Sequence, residues 1–289
     1  MHRIHSALIL LGLVGIFGFV GYTAFGPGTA ILIVSVGLFV NFGSRRSTAR
    51  MILRVHKARP LGYRESPAIH QIMQDLSVRS DVRTPDIAVY PSDIPNAFAL
   101  SLSRDKGVLA VSTAVLRLLN LDEIRGVLAH EIAHLKNRDS LIGVSAGLFV
   151  QAISTVASLF GILLLALALS GATPSGLITT ALIVIAAPYA ARYLQASLMR
   201  TRERMADRDA AALTGEPRAL ASALAKLERY NLYLKGFYRS FRFIYTTEYD
   251  AGPRWLRTHP PTEERIQDLL ELEGRIAPLP PVRRFRYVV

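Results

Sequence analysis

The chain has 289 residues and no cysteine, which excludes disulfides and thiolate metal ligands. Hydrophobic residues make up 51% and the mean hydropathy is +0.28, too apolar for an ordinary soluble domain of this size. The net charge of +12 invites a nucleic-acid reading, but the basic residues gather beside two uncharged stretches, where they act as topology signals, so no nucleic-acid partner is expected.

The first uncharged stretch runs from Ser6 to Ser44, 39 residues without Asp, Glu, Lys, Arg or His. A bilayer span takes roughly 20 apolar residues, so this stretch has room for two. "GYTAFGPGTA", Gly21 to Ala30, breaks it near the middle. A cleaved leader would have one short apolar core ahead of a polar domain, and here a second apolar run follows at once. A transmembrane hairpin is expected over 1–44. "SRRSTARMILRVHKAR", Ser44 to Arg59, comes next, and Lys and Arg beside a span mark the cytoplasmic side.

The polar segment 45–139 follows. Ser66-Pro67 opens an amphipathic helix with Ile69, Ile72, Met73 and Leu76 on one face. Pro85–Tyr90, Asn96–Ser103 and Gly107–Ser112 read as short strands, the last two joined as a hairpin by "RDKG". Asn120 and Glu123 form a capping box for the next helix. That helix carries "LAHEIAHLKNRD", Leu128 to Asp139, in which His130 and His134 lie four apart and share a face. Two imidazoles so spaced can grip one metal ion, with Glu131 as general base. A catalytic zinc takes three protein ligands and a water, and this stretch supplies two.

From Ser140 to Ala191 there is a second uncharged run, 52 residues long, broken at "SGATPSG", Ser170 to Gly176. A second hairpin is expected over 140–199, giving four spans. An even number of spans returns the chain to one compartment, so both termini and both polar segments face the cytoplasm. Helices are expected in "RTRERMADRDAAALTGEP" up to Gly215, in "EPRALASALAKLERYNLYLKG", and in "THPPTEERIQDLLELEG" with Thr262 as N-cap. The segment 200–289 would then complete the domain begun by 45–139, and "PLPPVRRFRYVV" is an extended end.

The third ligand can be a histidine just past the motif or a glutamate on a separate helix, and the downstream glutamates lie in this last segment. A third His six residues past the motif is excluded, because Ser140 stands there. Glu216 precedes a proline in a loop, Glu263 and Glu264 are explained as helix-opening carboxylates, and Glu228, between Lys226 and Arg229 on an amphipathic helix, is expected to be solvated. Glu203 has Asp207 one helical turn away. Glu203 can bind the metal while Asp207 accepts the N–H of a liganding histidine. The alternative is a charged helix face with Arg–Asp pairs, and spacing leaves both open.

"NAFAL", "VLAVSTAVL", "LAHEIAHLKNRD", "RERMADRDAA" and "HPPTEERI" occur in an order that resembles the HtpX-like membrane zinc metalloproteases, gluzincin peptidases related to the CAAX prenyl protease. The resemblance covers nearly the whole chain. It implies one Zn2+ per chain held by His130, His134 and Glu203, with Glu131 as base and Asp207 behind a ligand. It also places His259 and Arg265 in the active-site region, where they would stabilise negative charge on the carbonyl oxygen. The plainer alternative is that Arg265 pairs with Asp or Glu while His259 caps a turn. Arg204 stands where the family commonly has a phenylalanine.

The fold class expected is α+β, mainly α: a zincin-like domain with a small sheet and two transmembrane hairpins. The function expected is a membrane-anchored endopeptidase in protein quality control, its partners being protein or peptide substrates and the lipid bilayer. "NAFAL" is either a sheet-edge strand, pairing with extended substrate through Asn96, Ala97, Phe98 and Ala99, or an ordinary core strand. Three rivals are weaker. An intramembrane zinc protease would bury the motif in an apolar span, yet Asp122, Glu123, Arg125, Lys136, Arg138 and Asp139 surround it. A CAAX prenyl protease would have more spans around a chamber. A non-catalytic zinc-binding scaffold would not need Glu131.

Overall fold

A computed structural model of the chain describes residues 8–9, 11–16, 18–19, 22, 45–103, 106–169, 171, 177–239 and 259–276. The second span of the expected first hairpin, all but Gly171 of the Ser170–Gly176 break, and the tail from 277 lie outside the described residues. The chain divides into two compact units: Met1–Ser44, Leu141–Thr201 and Asp250–His259 form one, and Arg45–Ser140, Arg202–Tyr249 and Pro260–Val289 form the other.

The second unit opens with helix α1, Arg45–Val55, and a two-residue strand β1, Arg59–Pro60. Helix α2 spans Pro67–Ser80, with Pro67 at a first-turn position where its missing N–H costs nothing; the Ser66 side chain makes no capping bond. Strands β2 (Asp86–Tyr90), β3 (Ala97–Ser101) and β4 (Gly107–Ser112) match the expected runs, β3 being shorter at both ends. The sheet order is β1-β2-β4-β3; β2 and β4 are parallel, and the other pairs antiparallel. The small β1 and the short helix α3, Thr113–Leu118, carry too few residues to show a period in the sequence.

Helix α4, Leu121–Asn137, starts with the expected box: the Asn120 side chain accepts from the Glu123 N–H and Glu123 accepts from the Asn120 N–H. Its buried face, with Leu128 and Ile132, joins Met73, Leu76, Leu109, Leu220 and Leu269 in the main core. Arg138 ends α4 in the left-handed region at φ 56°, and the chain turns directly into α5, Asp139–Leu169. Helix α6 runs from Leu177 to Thr214 and stops at Gly215 (φ 72°), as expected. Helices α7, Pro217–Arg239, and α8, Thr262–Leu272, complete the described elements.

Two expectations need correction. Pro261, not Thr262, is the N-cap of α8; Thr262 is already helical, and its hydroxyl donates to Glu228 at 2.7 Å. That bond also removes Glu228 from the set of simply solvated carboxylates.

The first unit has its own apolar core, in which Leu13, Ala146, Ile153, Ala191 and Leu198 are fully buried. Leu159, Ile162, Leu182, Ile185 and Tyr189 are exposed on α5 and α6, which water disfavours and lipid does not. Among the described residues one helix, Thr180–Thr214, is long and apolar enough to cross a membrane, and Phe149–Leu164 is a shorter apolar stretch.

Candidate active site

Helix α4 presents His130 and His134 on one face, one turn apart, and α6 brings Glu203 against them. The His130 and His134 Nε2 atoms are 3.0 Å apart. Glu203 lies 3.6 Å from His130 Nε2 through Oε2 and 3.5 Å from His134 Nε2 through Oε1. Two ligands on a tetrahedral zinc, at bond lengths of about 2.0–2.1 Å, sit about 3.3 Å from each other. The three donors therefore already have the separations such an ion requires.

The outer nitrogens explain how the lone pairs face inward. His134 Nδ1 lies 2.7 Å from Asp139 Oδ2, and His130 Nδ1 lies 2.9 Å from Asp207 Oδ1. A carboxylate facing Nδ1 holds the proton there and leaves Nε2 bare. Two bare imidazole nitrogens and a carboxylate, all largely buried, repel one another unless a cation lies among them. The donor set fits zinc on chemistry as well as on distance.

Arg265 enters from α8. Its Nε and Nη2 both donate to Asp207 at 2.7 Å, and Nη1 lies 3.3 Å from Glu203 Oε2. Burial would lower the guanidinium pKa, but the Asp207 carboxylate outweighs it and raises it. One arginine thus braces both the third ligand and the carboxylate behind His130. These contacts follow the pairing alternative raised for Arg265. His259 is exposed in the bend before Pro260.

Glu131 is half-buried beside the two histidines. Burial pushes its carboxyl above the usual carboxylate range, with Glu203 adding to the effect and the histidines opposing it. The nearby Ala99 backbone N–H also opposes the rise. The β3–β4 ladder explains why that N–H is available. Ser112 N–H donates to Asn96 O and Leu102 N–H to Lys106 O, so by antiparallel alternation the backbones of Ala97, Ala99 and Ser101 face away from β4. Among the described residues β3 is the last strand of the sheet, and its outer edge runs beside the motif helix. Ala97 packs toward the main core and Phe98 toward Tyr90 on the opposite face, so these side chains are committed and the backbone is what the edge offers. Asn96 is exposed at the strand's start.

Against this geometry, the profile of peptidase family M48 matches residues 64–273. The chain belongs to that family. It is 34% identical to the "Protease HtpX homolog" of Pyrococcus furiosus, over 93% of this chain and 95% of the relative. It is 35% identical to the protein of the same name from Kineococcus radiotolerans, over 95% and 99%. Its fold is like that of the crystal structure of S. mikatae Ste24p, with a TM-score of 0.54 at 19% identity, covering 91% of this chain. The chain spans 62% of that longer structure's length. This M48 chain is a metalloprotease.

The sequence reading of the peptidase missed two residues at this site. Asp139 supports His134 as Asp207 supports His130. Arg202, adjacent to Glu203, pairs with Asp139 and donates to the Asn137 carbonyl at 2.9 Å; both charged side chains are buried. Asp139 is five residues beyond His134, a spacing that a continuous helix places on a different face. The left-handed Arg138 brings it back. The only signal in the sequence was that an acidic residue ends the polar segment just where an uncharged run begins.

Proposed function

We propose that this peptidase is a membrane-anchored, zinc-dependent endopeptidase that hydrolyses peptide bonds at the cytoplasmic face of the cell membrane, in protein quality control. The observation that carries the reading is the convergence of His130 Nε2, His134 Nε2 and the Glu203 carboxylate at ligand-to-ligand spacing, with Glu131 alongside. His130, His134 and Glu203 would hold one Zn2+. Bound there, zinc supplies Lewis-acid polarisation of a carbonyl and lowers the pKa of water.

The rest is the work of the chain. Glu131 accepts the proton of the attacking water and delivers it to the leaving amine. An extended substrate lies along β3 and hydrogen-bonds to the edge-facing backbones of Ala97 and Ala99, with Asn96 as a further donor. Asp207, Asp139 and Arg265 keep the ligands in place. His259 would donate to the oxyanion, a role resting on the family resemblance. The uncharged runs supply four spans, with both termini cytoplasmic. Support comes from the two uncharged stretches, the basic flanks, and the exposed apolar side chains of α5 and α6.

The decisive experiment is metal analysis of purified protein with casein cleavage by the wild type and Glu131→Gln in parallel. Stoichiometric zinc in both and cleavage by the wild type alone is the expected result. Equal cleavage by both sinks the mechanism. Reporter fusions near Gly26 and Thr173 should report the outside, and a cytoplasmic signal at either refutes the hairpins.

A further inference from the structure

Helix α1 buries only part of its surface. Ala49 is buried, and Leu53 packs on the sheet face formed by Ala88, Tyr90, Val108 and Ala110. His56, just past the helix, lies 5.0 Å from the Tyr90 ring and 5.3 Å from that of Phe98. These contacts fix the orientation of the helix and, among the described residues, leave another face without a partner in the core. On that face Met51 is 61% exposed and Val55 70% exposed, one turn apart. Arg50 and Arg54, also one turn apart, are exposed on the adjoining stripe.

A solvated helix face has no use for two large apolar side chains beside its arginines. An apolar stripe flanked by arginine is the pattern of a helix lying in a membrane interface. Charge and connectivity select the same occupant. No Asp or Glu occurs before Glu65, and Glu65 is itself paired with Arg59 at 2.8 Å. Helix α1 starts at the residue after the uncharged stretch that ends at Ser44, so its first turn is tied to the end of that apolar run. A second copy of the chain placed on this face about a two-fold axis would set arginine against arginine.

We propose that the exposed face of α1 is a docking surface for an anionic lipid bilayer, with Arg50 and Arg54 pairing with lipid phosphates while Met51 and Val55 enter the acyl boundary. Arginine near an anionic leaflet gains roughly fivefold in partition per residue, and the gain is screened by salt. The surface is separate from the peptidase centre and needs none of its residues.

The chain contains no cysteine, so Met51→Cys gives a unique thiol for a polarity-sensitive bimane label. Val78→Cys, at a position 77% exposed on α2, serves as the control. Each labelled full-length protein is placed in nanodiscs of phosphatidylcholine alone, or with about a third phosphatidylglycerol, and titrated with an aqueous quencher. The expected result is a blue shift and severalfold protection at position 51 in the phosphatidylglycerol discs. Salt at about 0.5 M and the Arg50→Gln/Arg54→Gln pair should abolish it, Arg50→Lys/Arg54→Lys should keep most of it, and position 78 should stay open. Four outcomes overturn the inference: position 51 equally open in both discs, equal protection in both, protection that survives the glutamine pair, or protection already present in detergent, which would mean that protein covers the face. The inference rests on the membrane reading above. A chain that stays out of nanodiscs defeats both, whereas one that enters with position 51 open defeats this inference alone.

Discussion

Asp139→Asn tests how the centre is held. The substitution keeps the shape and removes the charge, and it acts on two partners at once. His134 loses the carboxylate 2.7 Å from its Nδ1, and buried Arg202 loses its counter-ion. Removing one member of a buried pair costs about 3–5 kcal/mol, because the other charge is left uncompensated. Losing the carboxylate behind a liganding histidine costs about 10–100-fold in metal affinity. A second variant separates the effects. Asp139→Asn with Arg202→Met removes both charges and gives up the bond to the Asn137 carbonyl, so its stability loss should shrink to about 1–2 kcal/mol. His134 is still without its carboxylate, so zinc affinity should stay as low as in the single variant. Stability is to be read on metal-free protein in detergent, since bound zinc would itself stabilise the fold, and affinity by chelator competition. Wild-type zinc affinity in the double variant would refute the reasoning, because the effect would then run through Arg202 and not through His134. So would wild-type affinity in the single variant.

Further outcomes follow from other contacts. A Cβ at Gly126 would lie 3.0 Å from the Leu220 backbone, so Gly126→Ala should destabilise by about 1–3 kcal/mol where an open helix position would gain up to about 1; a higher unfolding temperature contradicts this. Burial raises the Glu123 pKa, but Lys226, Ser222 and the Asn120 N–H outweigh it and hold it below the ordinary range. A depressed folded pKa contributes stability above the unfolded value of about 4.3 that is lost as pH falls through the folded one. Glu123→Gln should therefore be less stable than wild type at neutral pH, with the gap closing on acidification below about pH 4; a gap independent of pH in urea unfolding counts against it. Ala99→Pro removes an edge-facing N–H and no ladder bond, so peptide cleavage should drop while zinc content and membrane insertion persist, and undiminished turnover removes the edge-strand role. His259→Ala should lower kcat by about 10²-fold with zinc retained if it donates to the oxyanion, and an unchanged kcat returns it to a structural role.

What could be read from the sequence and what could not divides along the range of the interactions. His130, Glu131, His134, the Asn120–Glu123 box and the three main strands depend on residues a few positions apart, and periodicity exposes them. Glu203 could be narrowed to a candidate because Asp207 lies one turn away on the same helix, but its meeting with α4 depends on tertiary packing. Arg265 shows the limit more sharply. It lies 58 residues from Asp207, and nothing in its neighbours distinguishes a brace on the metal ligands from an oxyanion donor. Asp139 was missed for a different reason. Helical spacing assigns residues to faces, and that assignment fails at the one backbone position where the helix ends in the left-handed region. Arg138 is not glycine, so the turn leaves no mark in composition. The same turn joins α4, which carries both histidines, to α5, which begins the second uncharged run. The carboxylate behind His134 is therefore the first residue of that helix.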